Sequence, residues 1–406
     1  MLASTVWEPE KPAEQLAPDI LRSMSSASCF LIAGDDGDVV LNAGTLYQGE
    51  RHRERFEELL GRPLDVRKFV LMQSHNSHMG GWGAFVGPGV ETIAHEKFVD
   101  GRLDWTLIDE FARRRMTRLF EVSIGAENVR RRWLETPEPE LDVVFSKSYE
   151  MDVSGRRIEL LSVPGGEIAD GMAVWLPAER TVIIGNLFGA LYGMLPHLTT
   201  IRGDHLRSAR AFVESVNFIL DLEPELLVPG HDDPVVGNEK IRSDLVRIRD
   251  AVQFIHDETV KGMNDGKDLW TLMAEIELPP ELRPVAQGRG PVRWYVRAVW
   301  EEYVGWFKAE STTELYATPP RAIWNELAEM AGGPDRLAAR AAAHVAGGRP
   351  VEALHFTDIA LEVAPENDAA RAAKTAALEI LLERTEGEAW DEIRWLETEL
   401  ALTAGA

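Results

Sequence analysis

The chain has 406 residues, 45% of them apolar and 27% charged, which is the composition of a soluble globular protein too long for one ordinary core. Lysine and arginine total 43 against 67 aspartates and glutamates, and the resulting net charge of −24 repels nucleic acid and anionic membrane surfaces. No apolar run approaches the roughly 20 residues that cross a bilayer, the start carries no secretory pattern, and the single cysteine, Cys29, excludes an internal disulfide, so a reducing cytoplasm is the expected setting.

The first half alternates strand and helix patterns. Residues 29–33 (CFLIA) and 39–41 (VVL) flank the turn GDDGD and predict a hairpin. A mixed-charge helix follows over about 50–60, then a buried strand over 67–72. Residues 102–134 read as charged helix, and its run Arg113, Arg114, Arg115 is expected to be a solvated face. Strands are predicted at 149–153, 157–163, 172–176, 181–184 and 225–228, with a helix over 205–220. From about Ile241 helical periodicity dominates, interrupted at Pro279-Pro280, Pro319-Pro320 and Gly332-Gly333-Pro334. Small residues at Ala353, Ala360, Ala369 and Ala376, with Pro365 at a turn, predict a tetratricopeptide-like helix pair over 347–382. The aromatic set Trp294, Tyr295, Trp300, Tyr303, Trp306 and Phe307 has helical spacing and is expected in an interdomain or dimer core.

Three strand ends offer metal-ligand or acid–base residue types. The strand ending at Met72 runs into Gln73-Ser-His-Asn-Ser-His78-Met-Gly-Gly81, and a rigid loop with two histidines is a chemically sensible metal platform. Val163-Pro-Gly-Gly-Glu167 places a carboxylate after a second strand, and Leu227-Val-Pro-Gly-His231 places a histidine after a third. His95 reads as a strand-end or packing residue, His344 and His355 as structural, and His197, after Pro196, as a loop residue that could sit at the cleft though nothing forces it there. Ser23, Ser25, Ser26 and Ser28 lack a partner pattern for a serine nucleophile.

This order resembles the metallo-β-lactamase superfamily, and several segments resemble its alkyl-sulfatase family. QSHNSHMGG is similar to a worn THxHxDHxGG loop, GGEIADGM to GTEAPAEM, and Thr200-Ile-Arg-Gly203 to the LRG segment. HDETVKGMNDG, EIELPPEL, VRAVWEEYVGWF and AGGPDRL resemble, in order, the family's helical dimerisation domain. The likeness implies an αββα metallo-β-lactamase sandwich over residues 1–242 and an all-α, tetratricopeptide-like dimerisation domain over 243–406. It implies a homodimer, and a small anionic organic substrate whose charged group meets Arg202, with Asn186 and Tyr192 lining the pocket. Full-length family members add a lipid-carrier-like domain, for which this sequence leaves no room; a substrate without a long detergent-like chain is the expectation.

The family's two-zinc ligand set is only partly retained. His75, His78, Glu167 and His231 match ligand positions, whereas Gln73, Ser77 and Gly185 stand where a histidine, an aspartate and a glutamate would. Two divalent ions bring a charge of about +4, of which Glu167 offsets one unit, so a dinuclear site is disfavoured. At most one divalent metal, most simply zinc, on His75, His78, Glu167 and His231 is expected, with His78, Glu167 and His231 as catalytic residues. Asp170, Asp232 and Asp233 have no readable direction. The leading expectation is a hydrolase of a small anionic ester, most simply an alkyl sulfate. Metal-independent acid–base chemistry, as in a lyase, hydratase or isomerase, and a non-catalytic dimer that binds a small acid stand as alternatives.

Overall fold

The computed structural model describes residues 11–25, 27–124, 136–189, 192–198, 200, 201, 203, 205 and 207–405. The chain divides into two compact units, one of Met1–Arg113, Arg130–Ala286 and Val292–Val299, the other of Arg114–Val129, Gln287–Pro291 and Trp300–Ala406.

The first unit holds two sheets. One has seven strands in sequence order: β1 (Glu14–Ala17), β2 (Ile20–Ser23), β3 (Cys29–Ile32), β4 (Asp38–Leu41), β5 (Val66–Leu71), β6 (Glu91–His95) and β7 (Val143–Phe145). The other has six, ordered β13-β12-β11-β10-β9-β8, from β8 (Ser148–Val153), β9 (Arg156–Ser162), β10 (Met172–Leu176), β11 (Thr181–Gly185), β12 (Leu226–Pro229) and β13 (Val235–Val236). The predicted hairpin forms, with Leu31 opposite Val40 in antiparallel register, while β4 to β7 run parallel.

Helices α1 (Gly49–Leu60), α2 (Asn76–Met79), α3 (Phe98–Leu107), α4 (Asp109–Ile124), α5 (Ala209–Asp221), α6 (Asn238–Asn264), α7 (Leu269–Glu275) and α8 (Val292–Val304) follow in chain order. Arg113, Arg114 and Arg115 are exposed on α4, as expected. Tyr295 of α8 is buried and its hydroxyl donates to the Leu195 carbonyl at 3.3 Å.

Alternation along the central strands explains why they read as unbroken apolar runs. Phe30, Ile32, Val39, Leu41, Val70 and Met72 point into a core shared with Ile158, Leu160, Val174, Ile183 and Val228 of the second sheet. Their neighbours Cys29, Leu31, Val40, Phe69 and Leu71 point the other way, into a second core that includes Phe56 of α1 and Phe98 of α3. Strands buried on both faces carry no polar alternation. Helix α5 is capped by Ser208, whose hydroxyl accepts from the Ala211 amide, and Phe212, Val216 and Ile219 form its buried stripe.

The second unit is helical. It includes α9 (Trp324–Met330), α10 (Pro334–Ala346), α11 (Pro350–Val363), α12 (Asp368–Arg384) and α13 (Trp390–Gly405). The expected helix pair forms as α11 and α12, packed through alanines. Ala353 and Ala360 are buried as predicted, but on α12 the packed residues are Ala370, Ala373 and Ala377 rather than Ala369 and Ala376. Helix α12 is capped by Asn367, whose side chain accepts from the Ala370 amide, and Ala370, Ala373 and Ala377 lie on its packed face at the i, i+3, i+7 spacing of a helix. Within this unit Arg118 pairs with Glu399 and stacks over Trp395 at 5.1 Å. Trp306, Tyr316 and Met330 are exposed.

Candidate active site

Four strand ends, one from the first sheet and three from the second, deliver the site. β5 runs into the loop that carries His75 and His78. His75 stands in extended conformation at the N-terminus of α2, and its carbonyl accepts from the His78 and Met79 amides. The loop is fixed from below, since the Met72 amide donates to Asn42 Oδ1 at 3.1 Å and the Ala43 amide to the His78 carbonyl at 2.7 Å. Arg102 adds a clamp, reaching the Ser74 carbonyl at 3.1 Å, the Asn76 side chain and Glu138.

β9 ends in the Pro-Gly-Gly turn before Glu167. A β-carbon on Gly166 would collide with the Leu187 carbonyl, so this turn lies backbone to backbone against the turn that follows β11. Asn186 stands in that second turn, and His231 follows β12.

The side chains converge on Glu167, which is 5% exposed. The Asn186 amide nitrogen donates to Glu167 Oε2 and also lies 2.8 Å from His78 Nε2. His197 Nδ1 is 3.4 Å from Glu167 Oε1, and His75 Nδ1 is 3.8 Å from Oε2. The His231 ring meets the His78 ring edge-on, with centroids 5.0 Å apart. Burial holds the His78 imidazole well below its ordinary range; His231 and His75 act in the same direction and Glu167 against it. His78 is therefore neutral. With Nε2 accepting from Asn186, its proton sits on Nδ1, which has no hydrogen-bond partner among the described residues.

The expected site residues thus divide. His75, His78, Glu167, His231 and Asn186 come together. Tyr192 packs edge-on against Phe188 at 5.3 Å, and its buried hydroxyl has no partner among the described residues. Arg202 lies outside the described residues. Of the aspartates left open, Asp232 accepts from the Tyr192 amide, Asp233 lies 3.4 Å from Arg22, and Asp170 accepts from the Ser74 hydroxyl at 3.2 Å. Asp170 lies beneath the histidine loop, and burial pushes its carboxyl up to about 7.

The positions that lost ligands are equally specific. Gln73 is 2% exposed, with neither amide atom partnered among the described residues. Gly185 has φ +50°, and a β-carbon there would approach the Met72 methyl at 3.3 Å, so a side chain at this position meets both backbone strain and a core methionine. Among the described residues, no three His, Cys, Asp or Glu side chains form a group able to hold a metal ion. The donor chemistry explains the misfit: the two lone pairs a cation would share, on His78 Nε2 and Glu167 Oε2, both receive the same amide nitrogen.

Sequence reasoning did not place His197, which is 2% exposed and beside Glu167. Its signal was weak, a histidine in an irregular loop 30 residues from its partner in sequence. His52 was missed too. It bridges Ser23 at 2.7 Å and Ser25 at 3.2 Å, but burial lowers it to about 3, which makes it a packing group and a poor base.

Residues 271–401 match the family model described as alkyl sulfatase dimerisation. A linear primary-alkylsulfatase of Pseudomonas sp. (strain ATCC 19151) is 26% identical over 329 residues, covering 76% of this chain and 61% of that protein. This chain is alkyl-sulfatase-like. An (R)-specific secondary-alkylsulfatase of Pseudomonas sp. is 28% identical over 258 residues, 61% of this chain and 38% of that protein. The alkyl-sulfatase-like chain thus spans 61% of the length of the first relative and less of the second. In fold it is similar to the stereoselective inverting sec-alkylsulfatase Pisa1 from Pseudomonas sp., with a TM-score of 0.81 at 22% identity over 97% of this chain and 66% of that one. It is also similar to a metallo-β-lactamase family protein from Thermus thermophilus, with a TM-score of 0.50 at 18% identity over 72% of this chain and 96% of that one. These two likenesses bear out the expected metallo-β-lactamase sandwich followed by helices.

Proposed function

We propose that this chain is a hydrolase of small anionic esters, most simply short alkyl sulfates, with its chemistry in residues 1–242. The observation that carries the reading is a set of desolvated hydrogen-bond donors. His78 Nδ1, Gln73 Nε2 and the Tyr192 hydroxyl are buried and have no partner among the described residues. Buried donors without acceptors are costly unless a ligand supplies them. A sulfate group offers acceptor oxygens for these donors, while Gln73 Oε1 and Asn186 Oδ1 are acceptors that it leaves for a donor such as water. Arg202 is the proposed cation for the same group, against the background charge of −24.

The chemistry requires water to add to the ester and the alcohol and sulfate to part, with one proton released. Glu167 and the imidazoles beside it, His75 and His197, are the proposed acceptors of that proton. His231, edge-on to His78, is the proposed residue that positions the attacking water. The named relatives are alkylsulfatases, which supports this substrate class. The test is sulfate release from a panel of short linear and secondary alkyl sulfates, followed by ion chromatography. Release from at least one member is expected. No release across the panel would remove the hydrolase reading.

The helices after residue 242 are proposed to form a homodimer. The dimerisation family match and the exposed Tyr303, Trp306, Tyr316 and Met330 support this. Sedimentation at micromolar concentration is expected to give a dimer, and a monomer would contradict it. No described helix is long and apolar enough to cross a membrane. With Cys29 buried and free, a reducing cytoplasm is the proposed setting.

A further inference from the structure

The carboxamide of Asn186 stands at the junction of the site's best two ligand atoms. Its nitrogen donates to Glu167 Oε2 and lies 2.8 Å from His78 Nε2. One NH2 group has two protons, and two acceptors receive them. The orientation follows from the carboxylate: turned the other way, the amide oxygen would face the Glu167 carboxylate, a contact between two acceptors. The amide is also hemmed in. Asn186 is 7% exposed, and Gly230 lies so close that a β-carbon there would be 2.6 Å from Asn186 Oδ1.

We propose that the Asn186 amide nitrogen takes the place of a cation in this pocket, holding Glu167 and His78 together and excluding divalent metal. A carboxylate and an imidazole lone pair aimed at one point need something positive between them. Two N–H dipoles meet that need without adding a full charge. A divalent ion there would meet neutral, weakly ligating residues at Gln73, Ser77 and Gly185, and would have to displace the Asn186 nitrogen from both Glu167 and His78. The inference uses the pocket of the hydrolase reading but not its substrate, so sulfate turnover and metal uptake can fail independently.

Zinc uptake decides it. Wild type, Asn186→Asp and Asn186→Ala are equilibrated with zinc, dialysed against metal-free buffer and measured by elemental analysis, with zinc affinity from calorimetry. Asn186→Asp is close to isosteric and exchanges a donor for an acceptor; Asn186→Ala removes the donor without adding charge. Wild type is expected to hold below about 0.1 zinc per chain. Asn186→Asp is expected to hold about one, bound roughly 100-fold more tightly than by wild type, and to lose it when His78→Ala is added. Asn186→Ala is expected to shift in the same direction by less. Stoichiometric zinc in wild type would overturn the proposal, and that measurement needs no variant to fold. Variants as empty as wild type would overturn it equally.

Discussion

Glu167→Gln is expected to lower sulfate release by roughly a thousandfold, with most of the loss in kcat. Glutamine keeps the volume of the side chain and its reach toward Asn186. It removes the negative charge that three neighbours are arranged around: His197 at 3.4 Å, His75 at 3.8 Å and the Asn186 amide. Without that charge neither imidazole is held as a proton acceptor. The Asn186 nitrogen would still find an oxygen if the new amide turns its carbonyl toward it, so the turn after β9 should keep its shape. Steady-state kinetics on the best substrate of the panel, with thermal melting as a check on folding, separates the effects. A raised KM with kcat intact would make Glu167 a binding residue and refute its role in proton transfer.

Asp170→Asn is expected to make the protein more stable than wild type above pH 7 and about equal to it near pH 4. Burial raises Asp170 from 3.8 to about 7 in the folded chain. The folded state therefore binds one more proton than the unfolded state across that window. Stability from this group is fully present below pH 3.8 and is lost as pH rises through 7, by up to about 4 kcal/mol. His52 works in the other direction. Its lowering from 6.5 to about 3 gives stability that is present above 6.5 and lost as pH falls toward 3. The two slopes nearly cancel in wild type between about pH 4 and 6.5. The informative quantity is the difference between variant and wild type, measured by urea unfolding at about pH 4, 5.5 and 7.5. That difference should grow with pH; a flat difference would show that Asp170 is not a buried acid.

The parts of this structure that sequence made legible have a common physical origin. Strands β3, β4 and β5 are buried on both faces, so Cys29-Phe-Leu-Ile32 and Phe69-Val-Leu-Met72 read as apolar runs whatever their neighbours. The histidine loop was legible because it follows such a strand directly. β2 was not read as a strand, since it holds a charged residue in its interior: Arg22 is 1% exposed and sustained by Glu14 and Asp233, one across a turn and the other distant in sequence. Asn186 was read as a pocket-lining residue, but its bridging role depends on which two acceptors the fold brings to one nitrogen. His197 reaches Glu167 from a loop with no periodicity, and nothing local announces that contact. On α12 the packed alanines are Ala370, Ala373 and Ala377, one position from the expected Ala369 and Ala376, because in an alanine-rich stretch several faces look alike in sequence and the neighbouring helices decide which is buried.

Sulfate release by wild-type protein after exhaustive chelation is the most direct test of a metal-independent site organised by Asn186 and Glu167. Protein treated with chelator and then assayed in metal-free buffer is predicted to release sulfate at the same rate as untreated protein, with no gain on adding zinc. Release that vanishes with chelation and returns with zinc would contradict the account.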